Sequence, residues 1–335
     1  MFEYFTGRNF ADKYDYIIIT GRGDESDIHL VIPDMIDGLP VTEIDGRAFE
    51  NCEDLVGITL PESITHIGHE AFSNCKSLAS LIIPNGVTWI GAAAFFNCIS
   101  LTSIVLPYGL KNIGKLLFYD CCSMTSITIP DSVTNIEDDA FSHCENLKSI
   151  TLPEGITSIA KGLFSNCKSL TSVIIPDGVT DIGDSAFTCC YSLTSITLPN
   201  SVTNIGNKVF AECINLISIT MPNSITNFGE LVFCDCCSLK SVKLPDCVTK
   251  IEDYAFEKCK KLTSIIIPYT VTKIEKIAFY DCENLHSIII ENPNCEITID
   301  DYFKGTIIGY KNSTAQQFAK KYNYKFKTIE DKADS

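Results

Sequence analysis

The sequence contains few of the residues that catalysis and nucleic-acid binding require. Its 335 residues include only 5 His and 1 Trp, and 26 Lys and Arg stand against 42 Asp and Glu. The net charge of −16 argues against nucleic-acid binding, because phosphate-binding proteins cluster cations on a basic face. No stretch has the length and charge-free apolar character of a membrane span, and the N-terminus lacks the pattern of a signal peptide. As given, the chain is therefore expected to be soluble, with no membrane insertion and no nucleic-acid partner.

The scarcity of histidine also leaves little material for an active site. Only His66 and His69 lie close together, and their repeat positions are otherwise polar, which is typical of a solvated surface. The sequence contains neither a Ser-His-Asp arrangement nor a phosphate-binding glycine-rich loop. We therefore predict no catalytic residue and no cofactor. The five histidines are His29, His66, His69, His143 and His286.

Charge is distributed unevenly along the chain. Residues 1–239 contain 11 Lys and Arg against 28 Asp and Glu, whereas residues 240–335 contain 15 against 14. An acidic body with a nearly neutral end favours a basic partner for the first two thirds of the chain.

A 23-residue sequence repeat recurs along most of the chain. Its copies include LTSITLPNSVTNIGNKVFAEC at 193–213 and LKSITLPEGITSIAKGLFSNC at 147–167. Phe keeps this step from Phe49 to Phe279, and Cys keeps it from Cys52 to Cys282. Such regularity predicts a solenoid, in which each repeat completes the burial of its neighbours. Ten prolines keep the same step: Pro61, Pro84, Pro107, Pro130, Pro153, Pro176, Pro199, Pro222, Pro245 and Pro268.

Each repeat position has a predicted role. Counted from the leading Leu, the consensus is L-T-S-I-T-L-P-x-x-V-T-x-I-G-x-x-A-F-x-x-C-x-x. Alternation over positions 3 to 6 predicts a short strand with positions 3 and 5 outward, and stacked copies form a parallel sheet. Pro and the small residues after it predict a turn. In the copy that begins at Leu193, the chain then crosses to the opposite side of the solenoid through Val202 and Ile205. The Ala-Phe pair predicts a single helical or 3₁₀ turn that delivers an aromatic ring to the core.

This pattern resembles the leucine-rich repeat subclass of BspA-like bacterial and protist surface proteins, also called the Treponema-type repeat. The match covers about residues 28–295, with ten full copies and an earlier variant in which Pro33 and Pro61 lie 28 residues apart. The resemblance implies an α/β solenoid: a right-handed leucine-rich repeat superhelix with a concave parallel sheet, used for protein recognition and sometimes adhesion. The predicted domains are an N-terminal cap hairpin over 1–27, a solenoid of about eleven repeats over 28–295 and a C-terminal cap over 296–335.

Both ends of a solenoid need a cover, because a bare end exposes core and sheet edge. KYDYIIITGRGDESDIHLVIP at 13–33 predicts a hairpin around a Gly-rich turn. The repeat register is lost after Ile290, and Ser313 with Gln316 then predicts a capping box ahead of a helix. One face of that helix carries Ala315, Phe318, Ala319 and Tyr322.

Eleven of the 17 cysteines occupy position 21 of the repeat. Because stacked copies point their side chains in parallel, they fail the dihedral requirement of a disulfide, and we expect a ladder of buried, reduced thiols. FCDCCS at 233–238 resembles a metal cluster, but Cys236 belongs to that ladder and no His is near, so we predict no metal site. Many free thiols favour a reducing cytosol or an anaerobic source. The six cysteines outside position 21 are Cys122, Cys189, Cys234, Cys237, Cys247 and Cys295.

The outward strand positions are the best candidate for a binding surface. They are small, mostly β-branched and, in the copies proposed here, uncharged, so they offer little resistance to a docking chain. Strand propensity and cross-strand packing explain the same residues without any function. The candidates are Ser80, Ile82, Ser103, Val105, Ser126, Thr128, Ser149, Thr151, Ser172, Ile174, Ser195 and Thr197. Trp89, Tyr108 and Tyr269, at otherwise polar positions, are weaker candidates for interface anchors.

The sequence leaves more than one function open. A non-enzymatic protein-binding module, adhesin-like at a cell surface, is the leading hypothesis, and its partner is unidentified. An intracellular scaffold or regulatory protein of the same fold is the alternative, with an enzyme third. We expect a monomer; the family resemblance favours a surface or secreted location, whereas the thiols favour the cytoplasm. Arg22-Gly23-Asp24 is either an integrin-type ligand or an ordinary turn of the cap.

Overall fold

The structure, a computed structural model, describes residues 1–9, 14–24, 27–299 and 302–329. The chain divides into two compact units, unit 1 over residues 1–178 and unit 2 over residues 179–335. Each unit is a parallel β-solenoid with about 23 residues per turn and little helix. One turn of 23 residues, starting at the leading Leu, is called a coil below.

The predicted strands at positions 3 to 5 are present in most coils and pair in parallel, forming a serine ladder, while the segments 126–128 and 241–243 contain only an isolated bridge each, Thr128 with Thr151 and Lys243 with Ile266. Ser103 pairs with Ser80, and the side chain between the outward residues, Ile104, is only 7% exposed. Alternation therefore sends one residue to the core and two to the surface in each strand. The strands are His29–Val31, Gly57–Thr59, Ser80–Ile82, Ser103–Val105, Ser149–Thr151 and Ser172–Ile174 in unit 1, and Ser195–Thr197, Ser218–Thr220, Ser264–Ile267 and Ser287–Ile290 in unit 2.

A second ladder, which the sequence did not predict, runs along positions 12 and 13. Asn204 pairs with Asn227 in parallel, while the adjacent Ile205 is fully buried. Strands of two residues are too short to show a period of two in the sequence. They are His66–Ile67, Trp89–Ile90, Asn112–Ile113, Asn135–Ile136 and Ser158–Ile159 in unit 1, and Asp181–Ile182, Asn204–Ile205, Asn227–Phe228, Lys250–Ile251, Lys273–Ile274 and Glu296–Ile297 in unit 2.

The corner that carries Phe was predicted as a helical turn, but the structure has consecutive turns with two left-handed residues. In one coil these are Glu70 with φ 55° and Asn74 with φ 60°. The left-handed backbone directs N–H groups along the stack, so that the Asn74 N–H donates to the Phe96 carbonyl of the next coil at 2.8 Å. Bonds between coils thus alternate with turn bonds inside the corner, such as the one from the Ser73 N–H to the Glu70 carbonyl at 3.0 Å.

The phenylalanines of position 18 form the centre of the core. Phe72 is fully buried, and its ring stacks on Phe49 at 5.3 Å and on Phe95 at 5.5 Å between centroids. The same stacking recurs within unit 2, where Phe187 and Phe210 lie 5.7 Å apart. This arrangement confirms the core role predicted for the aromatic ladder.

The N-terminal hairpin differs from the one predicted over 13–33. Strand Glu3–Asn9 pairs antiparallel with Tyr14–Gly21, and the latter pairs in parallel with Leu39–Ile44. His29–Val31 belongs instead to the serine ladder. The reason is that Ile17, Ile18 and Ile19 supply a buried segment that extends the second ladder. Within the variant copy, Met35–Ile36 pairs antiparallel with Leu39–Ile44 around a turn with positive φ at Asp37 and Gly38.

At the C-terminal end the predicted helix is confirmed over Thr314–Lys321. The Ser313 hydroxyl accepts a hydrogen bond from the Gln316 N–H at 3.2 Å, and the Gln316 side chain accepts one from the Asn312 N–H at 2.7 Å. Ala315 and Ala319 form the buried face. Two further strands, Thr306–Gly309 and Lys325–Thr328, lengthen the serine ladder beyond Ile290, where the sequence register appeared to end.

Candidate functional site

The outward side chains of positions 3 and 5 form one surface in each unit, which we call the serine strand face. In unit 1, Ile82 is 72% exposed, Val105 54% and Ile174 73%. In-register pairing aligns equivalent residues, such as Thr151 and Ile174, in rows across the sheet. Every predicted member in this unit is exposed: Ser80, Ile82, Ser103, Val105, Ser126, Thr128, Ser149, Thr151, Ser172 and Ile174.

The serine strand face of unit 2 contains the remaining predicted members, Ser195 and Thr197, both exposed. They pair with Ser218 and Thr220. Further along, the two unpredicted strands end the face in lysine: Thr306 pairs with Lys325, and Ile308 with Lys327. Alternation in TIIG at 306–309 and KFKT at 325–328 was the available signal, but the spacing hid it because each step is 19 residues instead of 23.

A notch interrupts the serine strand face of unit 1 at Gly57, which pairs with His29 on one side and with Ser80 on the other. A cavity of about 470 Å³ opens there, lined by His29, Thr59, Ser80 and Ile82 among others. The His29 ring fills the space next to Gly57, since its Nδ1 lies 3.0 Å from where a Cβ would stand. An apolar side chain of a partner can enter the part of the cavity that remains.

Exposed carboxylates lie three residues after the strands of unit 1. Glu62, Asp131, Glu154 and Asp177 all occupy position 8 and are exposed. The uncharged rows therefore have acidic groups beyond one end of their strands, so a docked chain with basic residues there would gain Coulomb energy.

The weaker aromatic candidates do not join one surface. Trp89 lies in the second ladder, where its ring contacts His69 edge-on at 5.0 Å between centroids and is 40% exposed. Tyr108 and Tyr269 are 79% and 65% exposed at position 8, and they belong to different units. These three side chains are thus separate features.

The Arg22-Gly23-Asp24 segment holds its arginine against the protein. The Arg22 guanidinium donates to Asp54 at 2.6 Å, its side chain is 15% exposed, and Gly23 has a φ of 61°. The hydrogen bond from Arg22 lowers the pKa of Asp54. These contacts explain the tripeptide as part of a turn at this end of the solenoid.

The thiols of the cysteine ladder serve as donors within the core. Cys98 donates to the Phe72 carbonyl at 3.1 Å, and Cys121 donates to Phe95 at 3.3 Å. Burial raises the pKa of Cys98 to about 12. The described residues include no disulfide, and the buried thiols stay protonated and poorly reactive at neutral pH.

The donors nearest to a metal site are Cys234, Asp235 and Glu257, whose ligand atoms lie within 4.8 Å of one another. Burial, then a hydrogen bond to Asp235, raises the pKa of the Cys234 thiol to about 12. The Lys258 ammonium already pairs with Asp235 at 3.0 Å and with Glu257 at 3.4 Å. A protonated thiol and a resident cation make this group a poor ligand set for zinc.

The repeat and its geometry have counterparts among known proteins. The profile of the BspA type Leucine rich repeat region matches residues 36–144, 111–237 and 232–327. The chain belongs to the BspA-type leucine-rich repeat family. Leucine-rich repeat proteins of this kind are typically protein-binding, surface-associated and non-enzymatic. No curated protein sequence matches the chain significantly.

Solved structures show the same fold. The chain is similar to the leucine-rich repeat protein of T. pallidum, with 38% identity over 57% of this chain and 87% of that chain, and a TM-score of 0.53. A leucine-rich repeat protein from Bacteroides ovatus has 25% identity over 98% of both chains, with a TM-score of 0.52. The pneumococcal vaccine antigen PcpA has 15% identity over 98% of this chain and 97% of its own, with a TM-score of 0.58, a likeness of fold alone. Among the described residues of this BspA-type chain, no helix has the length and apolarity needed to cross a membrane.

Proposed function

We propose that this chain is a non-enzymatic binding module that takes a protein partner on its serine strand face, the side predicted to be concave. The observation that carries the proposal is the set of exposed, uncharged side chains at positions 3 and 5 of unit 1, which are in register within each group of paired strands and include Ile82, Val105 and Ile174. Covering such side chains costs little desolvation, whereas covering charged ones would cost much more. A partner can therefore bury this surface without finding a counter-charge for each residue.

The chemistry of the surface favours an extended segment with apolar and basic residues. Apolar side chains of the partner fit the Ile and Val rows and the notch at Gly57. Basic residues fit the carboxylates of Glu62, Asp131, Glu154 and Asp177. The acidic excess of residues 1–239 would also speed association with a basic partner, in a salt-dependent way.

We place the leading form of this function at a cell surface, as an adhesin-like protein that acts as a monomer. The alternative is an intracellular scaffold or regulatory protein, which the 17 free thiols favour. Fractionation of the native cells, with thiols titrated in freshly isolated protein, separates the two. A surface fraction supports the first, and a cytosolic fraction with reduced thiols supports the second.

The binding surface is tested by placing charge on it. The triple variant Val105→Arg, Thr151→Arg, Ile174→Arg adds three cations to the serine strand face of unit 1. The control, Thr88→Arg, Thr134→Arg, Ser158→Arg, adds the same charge at exposed positions in or beside the second ladder. Partners are captured from native extract by cross-linking to each protein.

We expect the face variant to lose the specific partner and the control to keep it, with unchanged melting temperatures for both. Loss of the partner in both variants would indicate a general charge effect. Retention by the face variant would overturn the assignment of this surface.

A further inference from the structure

A pocket lies in unit 2 where the 23-residue step gives way to shorter ones. Ser287 lies 23 residues after its partner Ser264, but Thr306 follows Ser287 by 19. The shorter coil leaves the corner at 280–286 partly uncovered: Cys282 is partly exposed, whereas Cys236 and Cys259 are fully buried. A cavity of about 570 Å³ opens there, within the usual size of small-ligand sites.

One backbone N–H at the pocket wall also differs from its counterparts in the regular coils. In regular coils the left-handed residue of position 20 donates its N–H to the next coil, as Lys258 does to the Tyr280 carbonyl at 2.8 Å. Asp281 lines the pocket and keeps the left-handed conformation, with φ 58°. Its N–H has no acceptor among the described residues. A bound acceptor atom would therefore complete the pattern.

The charges around the pocket favour an anion. Its two carboxylates, Asp281 and Glu283, share one ammonium, that of Lys260 beside the pocket, at 3.5 Å and 2.7 Å, and a hydrogen bond from Lys260 lowers the pKa of Glu283. The two lining cations, Lys304 and Lys325, form no ion pair among the described residues, so these three lysines exceed the two carboxylates by one charge. Two ammonium groups therefore remain for a ligand.

The sequence around these lysines strengthens the same field. Residues 302–329 contain 6 Lys and no Asp, Glu or Arg, in a chain whose net charge is −16. The flanking Asp300, Asp301 and Glu330 lie outside the described residues. The electrostatic potential around these lysines is thus positive, opposite in sign to that of the acidic body, and it attracts an anionic ligand.

Two tyrosines provide a ring surface beside the cations. Tyr280 and Tyr302 meet edge-on at 5.0 Å between centroids, and Tyr302 is 62% exposed. His286 also lines the cavity and offers ring nitrogens to hydroxyl groups. An exposed ring with polar neighbours suits the flat C–H face of a sugar better than an aliphatic side chain.

We propose that this pocket binds a uronic-acid residue of an anionic polysaccharide. The carboxylate is held by Lys304, Lys325 and the Asp281 N–H, and the pyranose ring packs on Tyr302. The site lies in unit 2 and is independent of the protein-binding surface proposed for unit 1. It gives the chain a second ligand of a different chemical class.

The test titrates the full chain with a galacturonic acid trisaccharide and with the neutral galactose trisaccharide, by calorimetry. We expect the acidic sugar alone to bind. Lys304→Gln with Lys325→Gln is expected to weaken binding at least about tenfold, a loss of about 1.4 kcal/mol, because both charge-assisted hydrogen bonds to the carboxylate are removed. The control Lys311→Gln, a lysine of the same segment outside the pocket lining, should leave affinity nearly unchanged. Tyr302→Ala should weaken binding, and Tyr302→Phe should preserve it.

Several results would overturn the proposal. Equal binding of the neutral trisaccharide would show that the carboxylate is not recognised. An equal loss of affinity with Lys311→Gln would show that the lysines act by diffuse electrostatic attraction and not by contact in the pocket. Full competition by inorganic phosphate at equal concentration would indicate a simple anion site. Binding to phosphatidylglycerol vesicles but not to the acidic sugar would indicate a membrane surface instead. Melting temperatures confirm that each variant is folded.

Discussion

Successive coils of the second ladder are joined by closed steps, at which their strands pair, or by open steps, at which they do not. At five closed steps, and at no open step among the described strands, the hydroxyl of position 9 donates to the position-10 carbonyl of the preceding coil. Ser132 bonds Leu110 in this way at 2.6 Å, and Ser224 bonds Val202 at 2.7 Å. Ser63, Ser201 and Thr270 make the same bond, and strand pairing continues across all five steps.

Every break of the second ladder falls where position 9 lacks a hydroxyl, although pairing continues without one at the steps of Gly86 and Pro293. Among the strands that the structure describes, pairing is interrupted between Ile90 and Asn112, between Ile136 and Ser158, and between Phe228 and Lys250. Position 9 of the later coil is Gly109, Gly155 and Cys247, respectively. At the last of these breaks a cavity of about 220 Å³ opens. One hydroxyl per coil thus accompanies closure of the neighbouring backbone bonds.

The phenylalanine stack, by contrast, crosses open steps without interruption. Phe95 and Phe118 lie 5.7 Å apart across one open step, and Phe233 and Phe256 lie 5.9 Å apart across another. Aromatic packing therefore holds coils together where ladder bonds are missing, whereas the hydroxyl bond occurs only where the strands of the second ladder pair.

The largest effect is expected from breaking the stack. Phe118→Ala removes a fully buried ring beside an open step and should lower the free energy of unfolding by about 3–5 kcal/mol. The control Phe96→Ala removes a partly exposed ring from the same region and should cost much less. Chemical denaturation measures both. Equal costs would contradict the central role of the buried stack.

The next effect comes from opening a closed step. Ser132→Ala leaves the Leu110 carbonyl without its donor and should cost about 1–3 kcal/mol. Amide exchange should accelerate at Thr134 and Glu137, whose N–H groups now bond Lys111 and Ile113. Ser126→Ala, on the exposed strand face, is the matched control and should change stability by less than about 0.5 kcal/mol. If amide exchange at Thr134 and Glu137 is unchanged in Ser132→Ala, the Ser132 hydroxyl bond is not needed to keep the neighbouring strands paired.

The sequence predicts the ladders of Pro, Phe and Cys because their step never varies in the ten full copies. It predicts the exposure of Ser103 and Val105 because strand alternation has a period of two. The role of position 9 was hidden, since Ser and Gly there fit a turn equally well. Left-handed residues such as Leu116 and Arg47 were hidden for another reason: bonds between coils override the local preference of these side chains.

Closing an open step should give a smaller gain. Cys247→Ser supplies a hydroxyl opposite Ile225 and should raise the free energy of unfolding by about 1 kcal/mol, the usual net value of one hydrogen bond. Amide exchange at Thr249 and Glu252 should slow as the ladder closes. Cys247→Ala tests whether loss of the sulfur alone accounts for the gain. If the two variants are equally stable, the hydroxyl is not what closes this step.

The smallest and sharpest difference concerns two glycines at position 9. The step at Gly86 is closed without a hydroxyl, since Thr88 still donates to Thr65 at 3.0 Å, whereas the step at Gly109 is open. A Cβ at Gly109 meets nothing within 4 Å, but one at Gly86 lies 3.1 Å from the Ile64 carbonyl oxygen.

Replacing either glycine with serine removes the same unfolded-chain entropy, so the difference in stability between the two variants isolates the effect on the folded chain. We expect Gly109→Ser to be the more stable by about 0.5–1 kcal/mol in urea denaturation, since it alone closes a step. A larger gain at Gly86 would mean that closing an open step does not determine how serine at position 9 stabilises the folded chain, and equal gains would leave the unfolded-chain entropy as the whole effect.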